Sequence, residues 1–220
     1  MSTETFDPIA KEHQLKAESD GWDTSAPQAA RPGDIPVIDL TDYFNLSDET
    51  AFKETAAELR KACEEVGFFI ITGHQVDLGL IRRMFDFTRR FHALPAATKQ
   101  AILMDRKEWP VGGIGYLPVK NMKLPARDKG NLNEAFIIKH DHQLNFDDNQ
   151  WPDSVALPDF RETVESYALE LEKLGKRLLP LFAEALEMPT NFFDEAAHKK
   201  YPHPYQLLCT SPTIYLLQTQ

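Results

Sequence analysis

Ala62-Cys63-Glu64-Glu65-Val66-Gly67-Phe68-Phe69-Ile70-Ile71-Thr72-Gly73-His74 is the run that decides how this chain folds. Its first part closes a helix, Gly67 stops that helix, and an apolar strand follows with a histidine behind it. Working upstream, Phe52, Ala56, Leu59, Cys63 and Val66 recur in steps of four and three, one stripe of an amphipathic helix. Ser47, followed by Asp48 and Glu49, reads as its N-cap with acidic residues in the first turn. Cys63 lies on the stripe and reads as an inert core thiol. Phe68 to Thr72 is apolar almost throughout, which predicts a strand covered on both faces. His74 reads as a turn or packing residue, since no acid or nucleophile stands beside it in sequence.

Further out, Ile35-Pro36-Val37-Ile38-Asp39-Leu40 predicts a first strand. Asp77 caps a second helix with the stripe Ile81, Met84, Phe85, Thr88 and Phe91, ending near Leu94-Pro95. Val111 to Pro118 holds three glycines and predicts a loop entering a strand, and Asn133 to Lys139 another strand. After a proline-bounded connection, Asp159 with Glu162 resembles a capping box for the longest helix. Its stripe runs Phe160, Val164, Tyr167, Leu171, Leu174, Leu178, Phe182 and Ala185, with a kink expected at Pro180. No internal repeat is found.

The 220 residues suit one sizeable domain or a domain with an arm, and a net charge of -10 without a basic stripe argues against a nucleic-acid partner. The longest apolar runs are too short for a membrane span, and the first residues show no secretory pattern. Cys63 and Cys209 are the only cysteines, so no disulfide framework is indicated and a cytoplasmic address is the expectation. Residues 1–34 read as a flexible arm, and a short helix over 9–17 is compatible with their pattern. Residues 201–220 carry no Asp, Glu, Lys or Arg and read as an atypical tail, foreign to the fold. Within that tail, Thr213 to Leu217 is β-prone and unguarded.

Several of these segments together resemble the N-terminal region of the 2-oxoglutarate/iron(II)-dependent dioxygenases of the isopenicillin N synthase-like group. They are Ile35 to Leu40, Ala62 to His74, Phe91-His92-Ala93-Leu94-Pro95 with Lys99, and Gly115-Tyr116-Leu117-Pro118. Asn133-Glu134-Ala135-Phe136, Asn149-Gln150-Trp151-Pro152 and Pro158-Asp159-Phe160-Arg161 follow in the same order. The resemblance implies an α+β fold, helices packed on a few strands, forming the N-terminal part of a double-stranded β-helix (jelly-roll) and incomplete as given. The corresponding domain is expected over 35–200. The implied activity is hydroxylation, desaturation or ring closure of a small molecule coupled to decarboxylation of 2-oxoglutarate, in specialised metabolism. Where the family has glycine after the histidine, this chain has Gln75, which predicts an altered turn.

The resemblance also implies an iron site of two histidines and one carboxylate, the first histidine two residues before the carboxylate. None of the seven histidines has Asp or Glu at that spacing, and no arginine is followed two residues on by serine, the family's grip on 2-oxoglutarate. Catalytic, cofactor and metal residues are therefore expected to be none here, with iron(II) and 2-oxoglutarate belonging to the full-length family. His140-Asp141-His142 is the one ligand-type cluster. On an extended segment its histidines share a face and Asp141 points away, so it reads as a solvated loop. Gly112-Gly113-Ile114-Gly115 lacks the spacing of a phosphate cradle and reads as a flexible loop. Tyr116 is the substrate-pocket candidate, because this strand region can line the cavity mouth in family members; as an aromatic on a strand it reads first as an anchor. The sequence thus supports an oxygenase lineage that is inactive alone, or alternatively a non-catalytic truncated product or binding module on the same scaffold. It is silent on oligomeric state.

Overall fold

The computed structural model describes residues 31, 33–45, 48–104, 113–119, 134–140 and 145–194. The expectations for residues 1–30, Ser47, Gly112, Asp141, His142 and 201–220 lie outside them. In chain order the elements are β1 (Val37–Asp39), α1 (Thr41–Asn45), α2 (Glu49–Glu65), β2 (Ile70–Thr72), α3 (Leu78–His92) and α4 (Ala96–Gln100). They continue with β3 (Gly115–Leu117), β4 (Ala135–Ile137), a 3₁₀ turn (Phe146–Asp148) and α5 (Phe160–Ala185).

β1 and β2 pair in parallel, Val37 opposite Ile70, Ile38 opposite Ile71 and Asp39 opposite Thr72. A parallel pair needs a long crossover, and α1 and α2 supply it. Asp48 rather than Ser47 is the N-cap of α2, its side chain accepting from the Thr50 amide at 3.0 Å. Gly67 takes φ 77° and its amide returns to the Ala62 carbonyl at 2.9 Å, the stop expected from sequence. The buried face of α2 is Thr55, Ala56, Leu59 and Ala62. Cys63 is exposed, which corrects its reading as a core thiol. The stripe leans onto the 55–59–62 line as α2 lies against α5, so Ala62 takes the last buried place.

The expectation that the second strand is covered on both faces also fails. Phe69 and Ile71 pack inward with Ile38 and Leu40, but Phe68 is 75% exposed and Val37 59% exposed among the described residues. An unbroken apolar run reports strand propensity; which face is covered depends on what packs there. In α3 the buried residues are Leu80, Met84, Phe87, Thr88 and Phe91, with Ile81 and Phe85 half-buried, so the stripe is turned by about one position. Asp77 caps it as expected, accepting from the amides of Gly79 and Leu80 at 2.9 and 3.0 Å.

β3 and β4 form a separate antiparallel pair with Tyr116 opposite Phe136. Helix α5 joins the two regions. Asp159, the expected capping-box residue, instead sits at φ 62° with no side-chain cap bond. That left-handed step follows a turn in which the Phe160 amide meets the Leu157 carbonyl, and it lets both side chains enter the core. From there the helix runs 26 residues, through Pro180, about 39 Å at 1.5 Å per residue. Phe160, Val164 and Ala168 join a core with Met84, Phe87, Phe91, Tyr116 and Phe136. Leu174, Leu178, Leu181 and Phe182 join another with Ile38, Leu40, Ala56 and Leu59. No residue from 169 to 177 is buried, so α5 is a spine with one core at each end.

At the turn where an altered geometry is expected, Gln75 keeps a left-handed backbone of the kind glycine adopts, with φ 61°. Its amide accepts from Arg177 Nη1 at 2.9 Å and donates to Asn45 Oδ1 at 3.1 Å, tying α1 to α5 across the turn. Gln75→Ala keeps the strained backbone and loses both bonds, so about 1 kcal/mol of destabilisation is expected. Gln75→Gly loses the same bonds but relieves about 1–2 kcal/mol of left-handed strain, and should stay near wild-type stability. Urea midpoints of the two variants check this; an alanine variant as stable as the glycine one would show that the turn carries no strain.

Candidate functional site

Glu134, one residue before β4, is the point where the quoted sequence segments meet. Lys99 on α4 donates from Nζ to Glu134 Oε2 at 2.9 Å and to the His92 carbonyl at 2.9 Å. The Tyr116 hydroxyl on β3 donates to the same Oε2. His92 Nδ1, at the end of α3, lies 3.1 Å from the other oxygen, Oε1. All four groups are withdrawn from solvent; Lys99 is 7% and Tyr116 6% exposed. Burial of charge on this scale is tolerated only because each group faces an opposite charge or a hydrogen-bonding partner.

The electrostatics follow. Burial pushes the Glu134 carboxyl up, but hydrogen bonds from Tyr116 and Lys99, with the charges of Lys99 and His92, outweigh it and hold the group below the usual carboxylate range. Burial first, then the hydrogen bond and charge of Glu134, push the Tyr116 phenol up to about 12. The site is thus a carboxylate, an ammonium and a neutral phenol. Tyr116 spends its hydroxyl on Glu134, while its ring packs on Phe91 at 6.2 Å and under the Lys99 ammonium at 5.3 Å.

The Asn149-Gln150-Trp151 segment completes the frame. Asn149 brackets Lys139 as a strand neighbour would, accepting from its amide at 2.7 Å and donating to its carbonyl at 2.8 Å. Gln150 donates to the Leu103 and Ile114 carbonyls at 3.1 and 2.9 Å. Trp151 donates to the Phe146 carbonyl at 2.9 Å and packs on Phe136 at 6.0 Å. Sequence reasoning quoted these residues for their order and missed their roles. The available signal was polar residues set into otherwise apolar surroundings: Lys99 beyond a helix-breaking proline, Glu134 leading an apolar strand.

His74 lies elsewhere, its Nδ1 accepting from the Val76 amide at 3.1 Å. It borders an open groove of about 370 Å³ with Gln75, Val76, Lys173, Leu174 and Arg177. His140 stacks on Phe146 with ring centroids 4.2 Å apart, and its Nδ1 lies 3.7 Å from Glu172 Oε2. Gly113 stands at φ 83° beside β3, not at the start of a helix.

The family described as non-haem dioxygenase in morphine synthesis, N-terminal, matches residues 35–154. A 2-oxoglutarate-dependent dioxygenase, caaD, of Aspergillus niger is 33% identical over 73% of this chain and 51% of its own length. Clavatol oxidase claD of Penicillium crustosum is 30% identical over 73% of this chain and 53% of its own. Among solved structures, a 2OG-Fe(II) oxygenase family protein of Caulobacter crescentus superposes with TM-score 0.56 and 25% identity over 73% of this chain and 51% of that one. The chain spans about half the length of the curated relatives it matches. Iron(II), which such relatives imply, finds no fitting set of ligands among the described residues. No group of three or more His, Cys, Asp or Glu gathers among the described residues. Among the described residues, the buried His–carboxylate pair, His92 with Glu134, already holds the Lys99 ammonium on its carboxylate, where a dication would be repelled.

Proposed function

The chain belongs to the non-haem dioxygenase N-terminal family, and from that premise we propose that it is the N-terminal scaffold of a 2-oxoglutarate/iron(II)-dependent oxygenase acting on a small molecule, by hydroxylation, desaturation or ring closure. The observation that carries the reading is the meeting of the 91–99, 115–118 and 133–136 segments on one buried carboxylate. In this reading they hold the β3–β4 hairpin as part of the wall around a substrate, with Tyr116 as its anchor and its hydroxyl turned to Glu134. A catalytic portion would take the rest of a jelly-roll, and this reading includes a place in specialised metabolism and a cytoplasmic setting. Among the described residues no helix is long and apolar enough to cross a membrane.

A second reading, a non-catalytic module on the same scaffold, is favoured by one observation: no His-x-Asp or His-x-Glu occurs in the 220 residues. Transcript sequence past the Gln220 codon separates the two. The oxygenase reading expects a His-x-Asp, a distal histidine and an Arg-x-Ser there; a transcript without them makes the second reading correct. Either way, these 220 residues should not turn over 2-oxoglutarate. Incubated with iron(II), ascorbate and 2-oxoglutarate, the purified chain is expected to yield no succinate above an iron-only control. Succinate above it would overturn this expectation and reopen His140 and His142 as ligand candidates.

A further inference from the structure

We propose that Glu134 is an acid-release latch: its carboxylate ties the β3–β4 hairpin to the helical body, and its protonation frees the hairpin while the β1–β2 sheet stays folded. This does not depend on the proposed activity. Among the described residues the titratable groups facing the carboxylate are His92 from α3, Lys99 from α4 and Tyr116 from β3. Each belongs to a different element, so this one side chain ties the start of β4 and the Tyr116 hydroxyl of β3 ionically to the ends of two helices. The other ties are neutral, among them the packing of Tyr116, Phe136 and Ile138 on Met84, Phe87, Phe91 and Phe160, the Met104 amide to the Tyr116 carbonyl at 2.8 Å, the Tyr116 amide to the Ile102 carbonyl at 2.7 Å, the Gln150 side-chain amide to the Ile114 carbonyl at 2.9 Å, and the Asn149–Lys139 bracket.

Protonating Glu134 removes the charge that Lys99 faces and places a proton where two donors already point. The ammonium is then left in a buried setting with the His92 carbonyl. The core at the other end of α5 has no such dependence. Ile38, Leu40, Ala56, Leu59, Ala62 and Leu181 make it together with Thr55, whose hydroxyl donates to the Ala51 carbonyl, and no carboxylate among the described residues is buried there. Asp39, Glu49 and Asp77 are also held low, by hydrogen bonds from Thr41, from Lys53 and from the amides of Gly79 and Leu80, but all three face solvent, at the end of β1, in the first turn of α2 and at the N-cap of α3, rather than inside a core.

The direction of the pH effect is set by the Glu134 carboxyl lying lower folded than its ordinary 4.5. Its stabilising contribution is present above 4.5 and is lost as pH falls through the lower folded value. Tyr116 acts at the far end of the scale. Raised from 10.0 to about 12, it contributes fully below 10.0 and is lost only as pH rises through about 12.

Methyl NMR of the full 220-residue chain tests the latch, comparing Ala135, Ile137 and Ile138 with Ile38 and Ile71 from neutral pH down to about pH 3. The hairpin methyls are expected to pass through a reversible transition with a midpoint below 4.5, while Ile38 and Ile71 keep their native shifts there. Glu134→Gln should show the released hairpin shifts already at neutral pH with no further transition, while Ile38 and Ile71 stay native, and Lys99→Arg, which keeps the charge, should retain the transition. Simultaneous loss of both sets of signals would overturn the proposal. So would an unchanged midpoint in Glu134→Gln, native hairpin shifts of Glu134→Gln at neutral pH, or undispersed methyl signals of the unsubstituted chain at neutral pH.

Discussion

Lys99→Met is expected to destabilise the chain by about 3–5 kcal/mol, the range for removing one partner from a buried ion pair. Methionine keeps most of the aliphatic stem, so packing changes little and the loss is electrostatic. The Glu134 carboxylate would remain buried with Tyr116 and His92 alone, and the His92 carbonyl would lose its donor. A loss of this size is a large share of the ~5–15 kcal/mol that holds a typical domain. The same reasoning fixes the sign of a second measurement. Lys99→Met combined with Glu134→Gln should be more stable than Lys99→Met alone, since the amide strands no charge and still accepts from Tyr116. Urea unfolding followed by fluorescence gives both numbers. A single variant within about 1 kcal/mol of wild type, or a double variant weaker than the single, would mean that Glu134 is better solvated than its burial implies.

Much of the fold was legible because helices and strands write periodic patterns. The Phe52–Val66 stripe, the Gly67 stop and the Asp77 cap each depend on neighbours within a few residues, and the structure has the helix, the φ 77° stop and the cap. Failures came where a third element decides. Cys63 and Ala62 are equivalent to any pattern until α5 chooses the line of contact. Phe68 looks buried until the sheet is seen to carry helices on one face. Asp159 and Glu162 have capping-box spacing, but the turn at Leu157 imposes a left-handed φ that turns the carboxylate from the amides it was to cap.

The site was less legible than the fold, for a related reason. Lys99 and Glu134 are separated by 35 positions and Tyr116 and Glu134 by 18, and no period links such distances. What sequence does show is a cost that must be offset: a lysine and a glutamate each beside apolar, strand-forming or proline-bounded residues. A buried charge requires a partner, so two such charges of opposite sign are candidates for each other. Tyr116 reads from sequence first as a strand anchor and second as a residue near a cavity mouth; in the structure its ring joins the core, as an anchor's would, and its hydroxyl joins the carboxylate, which no pattern shows.

Gly115 gives the second large effect, and the reason is local. It opens β3 at φ 113°, where an L side chain is strained, and its neighbours leave no room for one. A Cβ there would stand 2.5 Å from the Ile102 carbonyl oxygen, 2.9 Å from Gln150 Nε2 and 3.3 Å from Met104 Cα. Two of those three neighbours are backbone, and they cannot shift freely. The Ile102 carbonyl accepts from the Tyr116 amide at 2.7 Å, and the Met104 amide donates back at 2.8 Å. Gly115→Ala therefore combines roughly 1–3 kcal/mol of backbone strain with a similar overpacking cost. About 2–5 kcal/mol of destabilisation is expected, along with loss of protection at the Tyr116 amide. Gly67→Ala separates the two contributions, because Gly67 also has a positive φ, 77°, but nothing lies within 4 Å of its missing Cβ. That variant should cost only about 1–2 kcal/mol. Measured side by side by urea unfolding, Gly115→Ala must be the weaker variant by at least about 1 kcal/mol for the close approach of the 102–104 backbone to be a real constraint; equal losses would show that this backbone yields, and that the glycine at the head of β3 serves its φ alone.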